Sequence, residues 1–430
     1  MTAEIAIFNR EGVALAADSA VTISHGGSGR QKVFRSANKI IPMSPGLPVA
    51  VMVYGNASLM GIPWETIITG YGRHLGDRRL ETVAAYAEDL FAHTASYLKH
   101  VDETDFGATV EHIVSACLDT FFEQFESLVE EATARLPDGE ALSDAAARSS
   151  LKDFVRSTER DLEDAELFDG MDEDLAKRIE FHRRVAVKDD LESREVPGGI
   201  DADTRRRLHG ITKSVLARNV EVLHNPRSSG VVIAGFGESE IFPCVRAYEL
   251  NGILGAGGPC RVLDMASDRA TGTEQSNGFH SAIFAFAQKD MVRTFLEGID
   301  PALFAVIHQE IQTLMLEMAS TAVELGGFAG ARASSVEGSL QDFAVTRSNL
   351  FVMWLQSHCS ETYGDPVLQM IDALPRAELA STAEALVRLQ ALKRRVTMEA
   401  DSVSGPVDVV LISKGDGLKW VKRKGMTNDE

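Results

Sequence analysis

Apolar positions alternate through Thr2–Phe8, with Ile5 and Ile7 on one side, and predict a first strand. After the turn Asn9-Arg10-Glu11-Gly12, the short apolar run Val13–Ala17 predicts a second. Gly12 is expected to supply the positive φ of a tight hairpin turn. Lys39–Met43 and Pro48–Tyr54 predict another hairpin across Ser44-Pro45-Gly46-Leu47. Pro42 then suits an edge strand, because it has no N–H to give to a ladder. From about Ala57 to Leu223 the period becomes helical, most clearly in a broad apolar stripe from Val110 to Ala132. Asp161–Asp174 holds eight acidic residues and no basic ones, followed by Lys177, Arg178, Arg183 and Arg184. This stretch reads as an exposed, solvated part of a helical lobe. Strand composition returns at Gly230–Gly237 and Ile241–Leu250, followed by a Gly-rich turn, Gly252–Pro259. A helical pattern spans about Gly278 to Ala400, broken by a small-residue loop, Gly326–Gly338. The last strands are Val407–Ser413 and Leu418–Val421, across Lys414-Gly415-Asp416-Gly417. The order is strands, helices, strands, helices, strands, with no internal repeat that would make a solenoid.

Composition narrows the class of protein more than its chemistry. A chain of 430 residues fits two lobes, or one large core carrying insertions. Hydrophobic residues at 44% and charged residues at 25% exclude a collagen-like, mucin-like or wholly disordered chain. Lys and Arg total 43 against 63 for Asp and Glu, a formal charge of −20. That balance argues against a nucleic-acid binder, which needs clustered cations. No apolar run approaches the roughly 20 residues of a membrane span, and the start lacks the basic and apolar regions of a signal peptide. Cys117, Cys244, Cys260 and Cys359 are scattered without a CxxC, as expected of reduced thiols in a cytoplasmic protein. The eleven histidines contain no HExxH, and His308-Gln309-Glu310 lacks a second histidine on the same helical face, so no metal is expected. The segment beginning at Gly252 lacks the Lys-Ser/Thr of a P-loop, and no cofactor is expected.

A dispersed set of residues is left for chemistry. Methionine is normally trimmed before a small residue, and its loss here would leave Thr2 with a free α-amine beside its hydroxyl. An amine with a pKa near 8 can take the hydroxyl proton at neutral pH and make the oxygen nucleophilic. Asp18 closes the second strand, and Lys32 follows a Gly-rich loop and leads into Val33-Phe34. By residue type alone Asp18 and Lys32 read as a surface pair. Placed beside Thr2 they would instead supply positive potential and keep the amine neutral.

Three segments in order carry a resemblance. Thr2-Ala-Glu-Ile-Ala-Ile with Gly12-Val-Ala-Leu-Ala-Ala-Asp18 resembles the start of a proteasome β-subunit, and equally the bacterial peptidase that works with a ring unfoldase. Lys32-Val-Phe is similar to the segment holding that family's catalytic lysine. Asp401-Ser402-Val403-Ser404-Gly405 is similar to its late Asp-Ser-x-Ser-Gly segment. The resemblance covers under half the chain: segments 1–75, 229–260 and 398–423.

It implies an α+β protein, a four-layer αββα sandwich of the N-terminal-nucleophile hydrolase type, with two large helical insertions. The sandwich would be built from 1–75, 229–260 and 398–430, with helical layers and insertions at 76–228 and 261–397. It further implies Thr2 as nucleophile and base, Lys32 tuning it, Asp18 orienting Lys32, and Asp401 with Ser404 around the amine. Gly55, just after Val49–Tyr54, is the expected oxyanion donor through its N–H, with a helix-entry turn as its plain alternative. Thr22 resembles the residue that pairs with an added substrate strand. The implied partners are a peptide or unfolded polypeptide substrate, a homo-oligomer and a separate unfoldase. One departure stands out: Ala256 occupies the family's serine position in Gly255-Ala-Gly-Gly-Pro. The expected activity is that of a threonine peptidase. The alternatives are a small-molecule amidase of the same chemistry and a non-catalytic scaffold whose helical lobes bind a partner.

Overall fold

The computed structural model describes residues 3–24, 31–34, 37–98, 101–134, 142–163, 173–217, 228–250, 261–263, 281–328, 330–397 and 405–425, with backbone alone at 21–24, 31–34, 97–98, 163, 217, 261–263 and 331. In chain order the strands are β1 (Ala3–Asn9), β2 (Gly12–Asp18), β3 (Val21–Ser24), β4 (Gln31–Phe34), β5 (Ile40–Pro42), β6 (Val49–Gly55), β7 (Ser58–Leu59), β8 (Ile62–Pro63), β9 (Ser229–Gly235), β10 (Cys244–Leu250), β11 (Arg261–Leu263), β12 (Ala282–Ala287), β13 (Val407–Ser413) and β14 (Gly417–Lys422). The helices are α1 (Trp64–Leu75), α2 (Val83–Leu98), α3 (Glu103–Ala134), α4 (Asp144–Glu163), α5 (Glu173–Ser193), α6 (Ala202–Ala217), α7 (Asp290–Glu297), α8 (Pro301–Leu325), α9 (Gly330–Cys359), α10 (Asp365–Ala373) and α11 (Arg376–Val396). The chain is thus a mixed α and β protein with antiparallel sheets, and it divides into two compact units.

The first unit is built on residues 1–37, 268–413 and 419–430. Its sheet runs β12-β1-β2-β13-β14, so the two opening strands sit between strands from the far end of the chain. Alternation along β1 sends Ala3, Ile5 and Ile7 to one face, with Ala14 and Ala16 of β2 and Val407 and Val409 of β13. That face packs on Leu379, Ala383 and Val387 of α11, Ile371 of α10 and Val292 of α7. The other face, with Ala6, Phe8, Val13, Leu15 and Val410, is equally buried.

The second unit holds residues 38–267 and 414–418. Its sheet runs β11-β10-β9-β6-β5, which puts Pro42 on an edge strand, as its missing N–H requires. Val49, Val51 and Val53 of β6 with Val231 and Ile233 of β9 pack on Trp64, Ile68 and Tyr71 of α1 and on Tyr86 and Leu90 of α2. The same core continues outward through Phe106, Ile113, Phe121 and Phe125 of α3 to α4, α5 and α6.

Several expectations need correction. Gly12 does not have a positive φ. It is small for another reason: a Cβ there would lie 2.6 Å from the Ile412 carbonyl oxygen of β13. The helical expectation over 278–289 fails at Ala282–Ala287, where six apolar residues pair with β1 as a sheet edge. Gly326–Gly338 is not one long loop, because α9 begins at Gly330. The α3 stripe is buried only to Phe125, and Leu128 is exposed. Finally, the basic residues after Asp174 are not all solvated. Arg183 is buried and donates to Glu180, the His209 carbonyl and Thr212 Oγ1.

Candidate active site

Antiparallel register fixes which residues meet at the end of the first sheet. Ala3 opens β1 opposite Ala287 of β12, Asp18 closes β2, and Val407 opens β13 opposite Asp18. Four strand ends therefore stand in one row, and everything that leaves the sheet there leaves from one side. The Asp18 carboxylate organises this row. Buried at 2% exposure, it accepts the Ala3 N–H on Oδ1 at 3.0 Å and the Ala20 N–H on Oδ2 at 3.1 Å. One charge thus holds both the entry to β1 and the exit from β2.

Neighbouring contacts brace the same edge. Ser19 Oγ donates to the Pro406 carbonyl at 2.8 Å and ties the exit of β2 to the entry of β13. Behind it Lys424 pairs with buried Asp408 at 3.2 Å and also donates to the Ala37 carbonyl, while its own N–H donates to Asp408 Oδ1 at 2.7 Å. On the other flank buried Gln288 accepts from Arg394 Nε at 3.1 Å and from Gln390 Nε2 at 3.3 Å. Ala287 itself has φ 58, a left-handed conformation that costs an L-residue about 1–2 kcal/mol.

Of the residues singled out from the sequence, Asp18 lies in this row. Thr2, Asp401, Ser404 and Ala256 lie outside the described residues, as do the side chains of Thr22 and Lys32. The backbones of the last two form the β3–β4 hairpin that follows Asp18, with Thr22 opposite Val33 and Lys32 opposite Ile23. Within the described residues this hairpin is a two-stranded sheet, so each of its strands has one partner.

Gly55 belongs to the second unit, and its N–H direction follows from the ladder. Asn56 N–H donates to the Ser228 carbonyl and Phe236 N–H to that of Pro48, so even-numbered residues of β6 bond to β9. Odd-numbered residues bond on the other side, as Val53 N–H does to the Lys39 carbonyl. Gly55 turns its N–H to that second side, past the last rung of the β5–β6 ladder, and none of the described hydrogen bonds uses it. Glycine is required there twice over. Its φ is 74, and a Cβ would sit 2.8 Å from the Ser228 carbonyl oxygen. Gly55 ends a strand; helix α1 begins only at Trp64.

Reading the sequence missed Ser19, Asp408 and Lys424. The signal was present in Val407-Asp408-Val409-Val410, where a lone acid inside an apolar run must find a cation if both faces are covered. Glu4, fully buried in β1, gives the same signal in Ala3-Glu4-Ile5-Ala6. The described cysteines, Cys117, Cys244 and Cys359, are buried thiols in no disulfide, and burial pushes the Cys117 thiol up to about 12, where it is unreactive. Among the described residues no cluster of three His, Cys, Asp or Glu could hold a metal ion, and no helix is long and apolar enough to cross a membrane. Compared with protein-family profiles and with curated protein sequences, the chain matches none.

Proposed function

We propose that the chain is a threonine peptidase of the N-terminal-nucleophile type, acting through Thr2 once Met1 is removed. The observation that carries this reading is the bond from the Ala3 N–H to the buried Asp18 carboxylate. It fixes the peptide link next to residue 2 at a strand end, beside the acid that orients Lys32 in this reading. In this reading the Thr2 hydroxyl attacks the scissile carbonyl carbon and its proton passes to the α-amine. Collapse of the tetrahedral intermediate expels the leaving amine with that proton, and water then hydrolyses the ester. Lys32 lowers the hydroxyl's pKa, Asp18 orients Lys32, and Asp401 with Ser404 hydrogen-bonds around the amine. Thr22 on β3 pairs with the backbone of an extended peptide.

The finer architecture belongs to the same proposal. Each sheet carries a helical layer on one face, which is half of a four-layer αββα sandwich. The long helical stretches α3–α6 and α8–α9 then stand as insertions in the two layers. Intact mass before and after treatment with a peptide epoxyketone tests the chemistry, because that reagent closes a ring on a hydroxyl and a free α-amine of one residue. Loss of Met1 with one adduct, absent in Thr2→Ala, is expected. Retained Met1, or an adduct that persists in Thr2→Ala, would overturn the proposal.

A further inference from the structure

Helices α8 and α9 form a long antiparallel hairpin whose outer sides are unusually apolar. Facing positions are small or aliphatic and buried: Ala319 and Val323 on α8, and Ala344, Ser348 and Val352 on α9. At about 100° per residue, Leu303, Leu314, Met318 and Leu325 fall within roughly 60° of each other on α8, about opposite Ala319 and Val323. All four are more than half exposed. Along this stripe run Glu310, Glu317 and Glu324, one every two turns and all exposed.

The outer stripe of α9 has the opposite charge. Phe343, Leu350 and Trp354 share one direction within about 40°, away from Ala344, Ser348 and Val352. Trp354 is 57% exposed and Phe343 62%. The stripe's charged members are Arg332 and Arg347, both exposed. Among the described residues neither these arginines nor the three glutamates form an ion pair. The spacings also agree. Glu310 and Glu324 are about 21 Å apart along α8, and Arg332 and Arg347 about 22 Å along α9, at about 1.5 Å per residue.

We propose that α8 of one copy docks on α9 of the next copy of this chain, acidic-apolar stripe against basic-apolar stripe. The two stripes point away from each other, so one neighbour cannot cover both through a two-fold axis. Each copy takes two neighbours, and the assembly is head-to-tail, closing as a ring or running on as a filament. Lipid is the poorer occupant, since three carboxylates and no cation line the α8 stripe. The inference does not depend on the proposed peptidase chemistry.

Analytical ultracentrifugation across a concentration series tests it. The wild-type chain is expected to sediment as a multimer. Glu310→Arg/Glu317→Arg/Glu324→Arg sets basic stripe against basic stripe, and Arg332→Glu/Arg347→Glu sets acid against acid. Each should raise the dissociation constant about tenfold or more with helical circular dichroism unchanged, because all five positions are exposed. An equal mixture of the two variants restores both contacts in alternation and should recover the wild-type mass. Should a multiple variant lose helicity, Arg347→Glu alone serves as the second probe. A wild-type monomer at every concentration, charge-reversed variants that assemble like wild type, or flotation of a monomeric protein with phosphatidylcholine vesicles would each overturn the proposal.

Discussion

Replacing Asp18 with asparagine keeps the shape of the side chain and removes the charge that both Ala3 and Ala20 use. The wild-type carboxylate accepts two backbone N–H groups while almost completely buried. An asparagine carbonyl can accept one of them, but its NH₂ then confronts the other N–H, donor against donor. Loss of the charge-assisted bond and one buried unsatisfied donor each cost about 1–3 kcal/mol. Since the terms overlap, the expected loss is about 2–4 kcal/mol, a factor of roughly 30–800 in the local opening equilibrium. Amide hydrogen exchange is the direct assay. In Asp18→Asn the Ala3 and Ala20 amides should exchange faster by that factor, while amides in α3 and β9 of the other unit hold their rates. If both amides exchange within twofold of wild type, the carboxylate is not what holds the strand ends. If the amides respond and an epoxyketone still acylates at the wild-type rate, Asp18 is a structural clamp without a part in the chemistry.

Other perturbations probe separate parts of the same account. Ala287→Gly should stabilise the chain by about 0.5–1 kcal/mol, read from urea midpoints, because the φ of 58 then costs nothing and the glycine entropy offsets only part of the gain. Gly12→Ala should destabilise by about 1–3 kcal/mol and speed exchange in β13, since its Cβ meets the Ile412 carbonyl oxygen at 2.6 Å. Arg183→Met should cost about 1–3 kcal/mol, because the His209 carbonyl and Thr212 Oγ1 lose their buried donor while Glu180 keeps Arg184. A urea midpoint unchanged from wild type would remove those bonds from the explanation. Acid should weaken the second unit in two steps. Burial, with His74 nearby, lowers the pKa of His93 below its ordinary 6.5, so its contribution is complete above that pH and declines as pH falls below it. The Arg183 hydrogen bond holds Glu180 at about 2 against an ordinary 4.5, so that contribution declines only as pH falls from 4.5 toward 2. Thermal melts at a series of pH values should show both steps, and His93→Gln should reduce the first, to which His209, its pKa also lowered by burial, contributes with the same sign.

Local patterns were legible where one face decides the structure. Ile5 and Ile7 set the first strand, Pro42 marked a sheet edge, and the 3.6-residue stripe from Val110 found α3. Legibility failed where the deciding partner is far away in sequence. Ala282–Ala287 has too few polar residues to show an alternation, and it becomes a strand because β1 offers it an edge. Arg183 reads as surface in a charge-rich segment, yet Glu180, His209 and Thr212 satisfy it on the inside. Gly12 could be read as a turn glycine from its neighbours alone, but the reason for its size is a strand hundreds of residues later. At the candidate site, Asp18 could be picked out as the acid closing a strand. Its two backbone donors, and the brace from Lys424 through Asp408, depend on a register that no local pattern encodes.

The strand order β12-β1-β2-β13-β14 has a consequence for the birth of the protein. The β1–β2 hairpin leaves the ribosome before the rest of this fold, but its two sheet neighbours are among the last of its strands to be made. At about 5–20 residues per second, β2 waits on the order of 20–80 s for β13 to appear. Throughout that interval Gly12-Val-Ala-Leu-Ala-Ala presents an apolar, unpaired edge, the kind of strand that recruits other chains. A holdase covering β1 and β2 during that interval would keep this edge from other chains. Ribosome-bound chains stalled before Val407 should therefore be far more prone to aggregate on release than chains stalled after Lys424.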